Sequence, residues 1–91
     1  MRGSTFTIAG LCLGIAFASP AVAGTIVEGV GSSRSVAMND ANERAARLAQ
    51  QRWGRMSNWR NCIGQARVDQ CRQDRGEWIC RASVADHAGS C

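Results

Sequence analysis

The chain has 91 residues, and setting aside the first 23, which read as a removable export signal, leaves 68. That length holds one small domain and excludes a two-domain enzyme or a repeat array. All 11 basic residues are arginine; against 7 acids the chain carries +4, and residues 24–91 alone carry +3, so the domain is mildly basic and is not a highly charged tail.

The start has the order of a secretory signal. Arg2 supplies a positive charge, residues 6–18 form an uncharged apolar run, Ser19 and Pro20 break it, and Ala21, Val22 and Ala23 make an A-x-A cleavage pattern before Gly24. A spanning helix needs ~20 apolar residues, and this run has 13, so the expectation is cleavage after Ala23 and no integral span afterwards. Cys12 lies mid-run behind the large Leu11, unlike a lipid-attachment cysteine, and reads as an incidental apolar residue. The expected destination is the bacterial periplasm or the medium. The arginine-only basic set is most simply codon bias, with phosphate binding as the other reading.

Residues 25–30 (TIVEGV) read as a first strand. Gly29 and Gly31 behind it suggest a dinucleotide turn, but Arg34 stands where the third glycine of G-x-G-x-x-G belongs, so the motif fails and a flexible strand exit is the simpler reading. Residues 35–53 read as a helix, with Ser35 as N-cap and Gly54 closing it in a left-handed conformation. At 100° per residue, Ala37, Met38, Ala41, Ala45, Leu48, Ala49 and Trp53 share one side, and Asp40 with Arg44 and Glu43 with Arg47 are i,i+4 pairs with the acid first. Asn42 and Arg52 intrude on the apolar arc. The alanines allow a close approach to a sheet but bury little area, so Leu48 and Trp53 must supply bulk.

Residues 54–61 read as loop. A second strand over 63–71 and a third over 77–85 flank Gln73, Asp74, Arg75 and Gly76, a hairpin signal. Trp78, Cys80, Ala82 and Val84 share one face of the third strand, and Ala66 and Val68 of the second can face the same side. The tail, 86–91, is short and polar. The sum is an α+β fold, β-α-β-β, with one alanine-rich helix on a small antiparallel sheet.

Cys62, Cys71, Cys80 and Cys91 are an even set in a short exported chain, the mark of a disulfide framework. A core this small is marginal, so bridges worth ~3 kcal/mol each matter. A metal site is the competing reading, but close C-x2-C pairs are absent and no cofactor is expected. Two registers give two patterns. A two- or four-residue turn puts Cys71 opposite Cys80 and leaves Cys62 for Cys91. A three-residue turn aligns Ala82 with Val68 and Val84 with Ala66, and joins Cys62 to Cys80 and Cys71 to Cys91. A β-bulge could reconcile the apolar match with the first pattern, towards which the balance tilts slightly; spacing alone leaves both open.

Chemistry is thinly signalled. His87 is the one histidine, and it follows Asp86 in a polar tail, so it reads as solvated and no catalytic residue is assigned. Asp69, Asp74 and Glu77 read as solvated charges. Backbone amides at 32–35 could hold an anion, as at any helix start. Arginines interleave with Trp53, Trp59 and Trp78; Trp53 and Trp78 are expected in the core. Trp59, beside Arg55 and Arg60, is the candidate exposed contact residue.

The stretch 27–49, with E-G-V-G-S-S-R-S and alanines at 37, 41, 45 and 49, resembles small bacterial periplasmic α+β domains, including those of some envelope lipoproteins and flagellar accessory proteins, and Trp78-x-Cys80 with the closing Cys91 is similar to small Cys-containing exported proteins of unknown function. The resemblance implies a β-α-β-β fold and an envelope location, and carries over no catalytic residue. Small size, bridges and the lack of a catalytic constellation give the expectation of a non-enzymatic binding domain whose partner is an envelope protein or an anionic surface; nucleic acid is not the expected partner. The alternative is a secreted cationic effector or inhibitor.

Overall fold

The computed structural model describes residues 24–91; the expected export signal and its cleavage site lie outside the described residues. In chain order come β1 (Gly24–Gly31), α1 (Arg34–Trp53), β2 (Ile63–Gly64), β3 (Cys71–Asp74) and β4 (Glu77–Ala85), with short 3-10 turns at Trp59–Cys62, Val68–Gln70 and Ala88–Ser90. The fold is α+β: one helix packs on one four-stranded antiparallel sheet.

β4 is the central strand. On one side β1 pairs along nearly its whole length, from Gly24 opposite Ala85 to Gly31 opposite Trp78. On the other side two shorter strands share it: β2 pairs Ile63 with Val84, and β3 runs from Cys71 opposite Cys80 to Asp74 opposite Glu77.

The helix lies on this sheet through alanine. Ala37, Ala41, Ala45 and Ala49 recur every four residues and are fully buried against Cys80, Ala82 and Val84. Such small side chains bring the helix backbone to the strand, and Gly29 receives it. A Cβ there would overlap the Ala41 amide nitrogen and the Ala37 carbonyl oxygen. The residue expected as a flexible exit is thus a packing requirement. Val27, Met38, Leu48, Trp53, Ile63 and Trp78 pack around the alanine centre while only partly buried, so bulk sits at the rim.

The helix ends differ from expectation. Ser33, not Ser35, is the N-cap: its backbone is extended and its hydroxyl accepts from the Val36 N–H at 3.2 Å. Ser35 already belongs to the first turn. Gly54 is right-handed (φ −62°, ψ −15°), because the chain does not reverse there. It continues through turns in which Met56 N–H donates to Trp53 C=O and Trp59 N–H to Met56 C=O. The intrusion of Asn42 on the apolar arc is explained by a hydrogen bond, in which its Oδ1 accepts the Ala66 N–H at 2.7 Å.

The expected second strand, 63–71, is broken in two. Gly64 pairs with Ser83 and Cys71 with Cys80, so residues 65–70 span a gap that β4 crosses with only Arg81 and Ala82. The extra length leaves the sheet as a loop ending in a 3-10 turn, an excursion larger than a one-residue bulge. Ala66 turns inward and is 6% exposed, whereas Val68 is 57% exposed and not on the core face as expected.

The hairpin turn has two residues. Arg75 (φ 54°) and Gly76 (φ 85°) both take positive φ, the requirement of a type I′ hairpin. That turn sets Cys71 opposite Cys80, and the bridges are Cys71–Cys80 and Cys62–Cys91. The three-residue turn and the Cys62–Cys80, Cys71–Cys91 pattern that depends on it do not form.

Candidate contact surface

Trp59, Arg55 and Arg60 lie where α1 hands the chain to β2. The 3-10 turn Trp59–Cys62 begins at Trp59 and ends at the buried Cys62, whose sulfur is bonded to Cys91. Trp59 is half-buried and packs against the alanine core, so it is less exposed than its polar neighbours suggest. The Arg60 guanidinium covers it, 4.4 Å from the ring centroid. Arg55 is exposed in the preceding turn. What faces solvent is therefore an arginine plane backed by an indole, on a turn anchored at one end by the core and at the other by a disulfide. A delocalised, weakly hydrated guanidinium held over a ring in this way suits carboxylate or phosphate groups.

A second stack lies at the opposite end of α1, where Arg34 sits 4.6 Å from the centroid of Trp78. The sequence points to a core position for Trp78 and to no contact for Arg34. Trp78 is only half-buried, and its ring closes the sheet end near the Arg75 turn. No local pattern signals this pair, because it joins the helix start to a strand 44 positions later in the numbering.

Asp86 and His87 do not form a dyad. Asp86 Oδ1 accepts from Thr25 Oγ1 at 2.8 Å and from Arg52 Nη1 at 3.2 Å. Arg52 also reaches the Ala85 carbonyl at 3.4 Å, which the Trp53 indole N–H approaches at 2.9 Å. This cluster clamps the end of α1 to the ends of β1 and β4, and explains why Arg52 intrudes on the apolar arc. His87 is exposed and contributes its backbone carbonyl to the tail turn, accepting from the Ser90 N–H.

Three further ion pairs join exposed charges. Arg44 meets Asp40 at 3.0 Å, as the i,i+4 spacing predicts, Arg67 meets Asp69 at 3.4 Å, and Arg72 meets Glu28 at 3.6 Å. Exposed pairs of this kind contribute little individually. Asp40 has an additional partner: its Oδ2 accepts the Val30 backbone N–H at 2.9 Å. That bond, followed by Arg44 and Arg47, holds the carboxyl below its ordinary value.

All four cysteine sulfurs of the described residues are committed to bridges. Among those residues no group of three or more His, Cys, Asp and Glu side chains converges as a metal site, and no helix is long and apolar enough to cross a membrane. Against known proteins, a scan of family models, a search of curated proteins and a search of solved structures each find no match for this chain.

Proposed function

We propose that this chain is a small exported protein of the bacterial cell envelope that works as a non-enzymatic binding domain, making contact through Trp59, Arg60 and Arg55. The observation that carries the reading is the Arg60–Trp59 stack on a turn anchored by the Cys62–Cys91 bridge. An anchored cation loses less conformational freedom on binding than a free arginine does. Two disulfides in so short a chain are compatible with an oxidising periplasmic or extracellular setting. The export signal, with cleavage after Ala23, belongs to the same reading. The partner it fits carries carboxylate or phosphate groups, on an envelope protein or on an anionic surface.

The test compares the oxidised protein with a Trp59→Ala, Arg60→Ala, Arg55→Ala variant. Each is assayed for retention of envelope extract and for co-sedimentation with phosphatidylglycerol vesicles. Binding that weakens at least tenfold in the variant and with rising salt supports the proposal. Equal retention by both proteins, or none by either, would sink it. Leakage of vesicle contents would point instead to a cationic effector.

A further inference from the structure

The two bridges differ in what surrounds their sulfurs. Cys71 and Cys80 stand opposite each other in the β3–β4 ladder, and both pack with the alanines of the core. If that bridge opened, the pairs Arg72–Ile79 and Gln73–Trp78 would hold the two sulfurs facing each other. Cys62–Cys91 has no such frame. Cys62 is fully buried, whereas Cys91 is half-buried and follows a run of exposed residues, 86–90. Asp86 is fixed by Thr25 and Arg52. Beyond it the Ser90 N–H donates to the His87 carbonyl and the Cys91 N–H to the Ala88 carbonyl, bonds made within the segment itself. Exposed segments bonded within themselves open at low cost. Cys62 is also the last residue of the Trp59–Cys62 turn, so this bridge is the covalent anchor of the Arg60–Trp59 stack.

We propose that Cys91 Sγ is a thiol-exchange site for an external dithiol, and that exchange there releases the contact turn from its covalent anchor. The attacking thiolate bonds to Cys91 Sγ, the more accessible sulfur, as the Cys62–Cys91 bond breaks. Cys62 leaves as a thiolate and takes up the proton that the attacking thiol gave up. The second thiol of the reagent then closes on the first, and its proton passes to Cys91, which leaves as a thiol. The protein gains two electrons and two protons, and the dithiol becomes a disulfide. Cys71–Cys80 stays closed, so helix and sheet are kept while the turn retains only its attachment through Trp59. The effect on binding rests on Trp59, Arg60 and Arg55 being the contact; the exchange itself does not.

The test exposes the oxidised protein to graded dithiothreitol, with glutathione in a parallel series to trap the mixed disulfide. Samples are acid-quenched, alkylated and mapped by mass spectrometry; cleavage after arginine puts each of the four cysteines in its own peptide. The glutathione adduct is expected on Cys91. Cys62 and Cys91 should become alkylated at roughly tenfold less dithiothreitol than Cys71 and Cys80, with circular dichroism unchanged. At that stage hydrogen exchange should quicken at the Asn61 N–H, which donates to the Asn58 carbonyl, and at the Ile63 N–H, which donates to the Arg60 carbonyl, but not in α1. A first adduct on Cys62, Cys71 or Cys80, both bridges opening together, or unchanged exchange at Asn61 and Ile63 overturns the proposal. Phosphatidylglycerol vesicles separate it from the contact reading. Binding that weakens by about threefold or more on selective reduction supports the release, and binding that stays equal overturns it. No binding by the oxidised protein sinks the contact reading, while the mapped adduct and the exchange rates still decide the site.

Discussion

The two flanks of β4 are held in different ways. On the β1 side the ladder runs unbroken over eight residues and is backed by α1, with alanine set against glycine. On the other side the ladder is split into pieces of two and four residues, separated by the 65–70 excursion. Both disulfides lie on that second side. The continuous flank draws its cohesion from close backbone approach and needs no cross-link. The interrupted flank has too few ladder bonds to hold itself, and each of its two pieces has a bridge at or next to it.

The largest expected effect breaks the first flank. Gly29→Ala places a Cβ against backbone atoms of Ala37 and Ala41 that cannot step aside, and should cost ~3–5 kcal/mol, read as the shift of a urea midpoint. A loss near zero would mean that helix and strand are not tightly apposed. Next comes the second flank. Replacing Cys62 and Cys91 together by serine frees a 29-residue separation and should cost about 3.5 kcal/mol by loop entropy, against about 2.5 kcal/mol for Cys71 and Cys80. Hydrogen exchange sharpens the contrast: in either variant, amides of β2, β3 and the tail should open before those of β1 and α1. Uniform opening would erase the distinction between the flanks.

Asn42→Ala is a smaller cut. It leaves the Ala66 N–H without its acceptor and should cost about 1–2 kcal/mol, with a matching fall in urea midpoint. The smallest effect is electrostatic. The Asp40 carboxyl titrates below the usual aspartate range, chiefly because it accepts the Val30 N–H. Its contribution is therefore complete above the unfolded value and disappears as pH falls through the lower folded one. Melting temperatures measured from mildly acidic pH downwards should show the wild type losing a small increment in that window which Asp40→Asn never has. Parallel curves for the two proteins would contradict this.

Much of the fold is legible in the residues. Alanines at 37, 41, 45 and 49 announce a helix lying close to a sheet, and the even cysteine set announces bridges. The pairing turns on whether Asp74 belongs to the strand or to the turn, and the left-handed Arg75, a conformation few non-glycine residues adopt, decides it. The break at 65–70 has no local signal: Ala66 and Val68 alternate as a strand would, and it is Asn42, from the helix, that turns Ala66 inward. The candidate surface is half legible. Trp59, Arg55 and Arg60 stand out, but the Arg60 stack and the burial of one side of Trp59 depend on the core beneath them. The bond from the Val30 N–H to Asp40 is hidden because Asp40 already has a sufficient explanation in its pairing with Arg44.

The make-up of the interior has a consequence for chemical durability. The fully buried side chains are alanines, a valine, a serine, a glutamine and two half-cystines. None is an indole or a thioether, and the sulfurs there are already in the disulfide state, not thiols. Peroxide or hypochlorite would meet Met38, Met56, Trp53, Trp59 and Trp78, all half-buried around that centre, so oxidative damage should begin at the rim long before it loosened the frame.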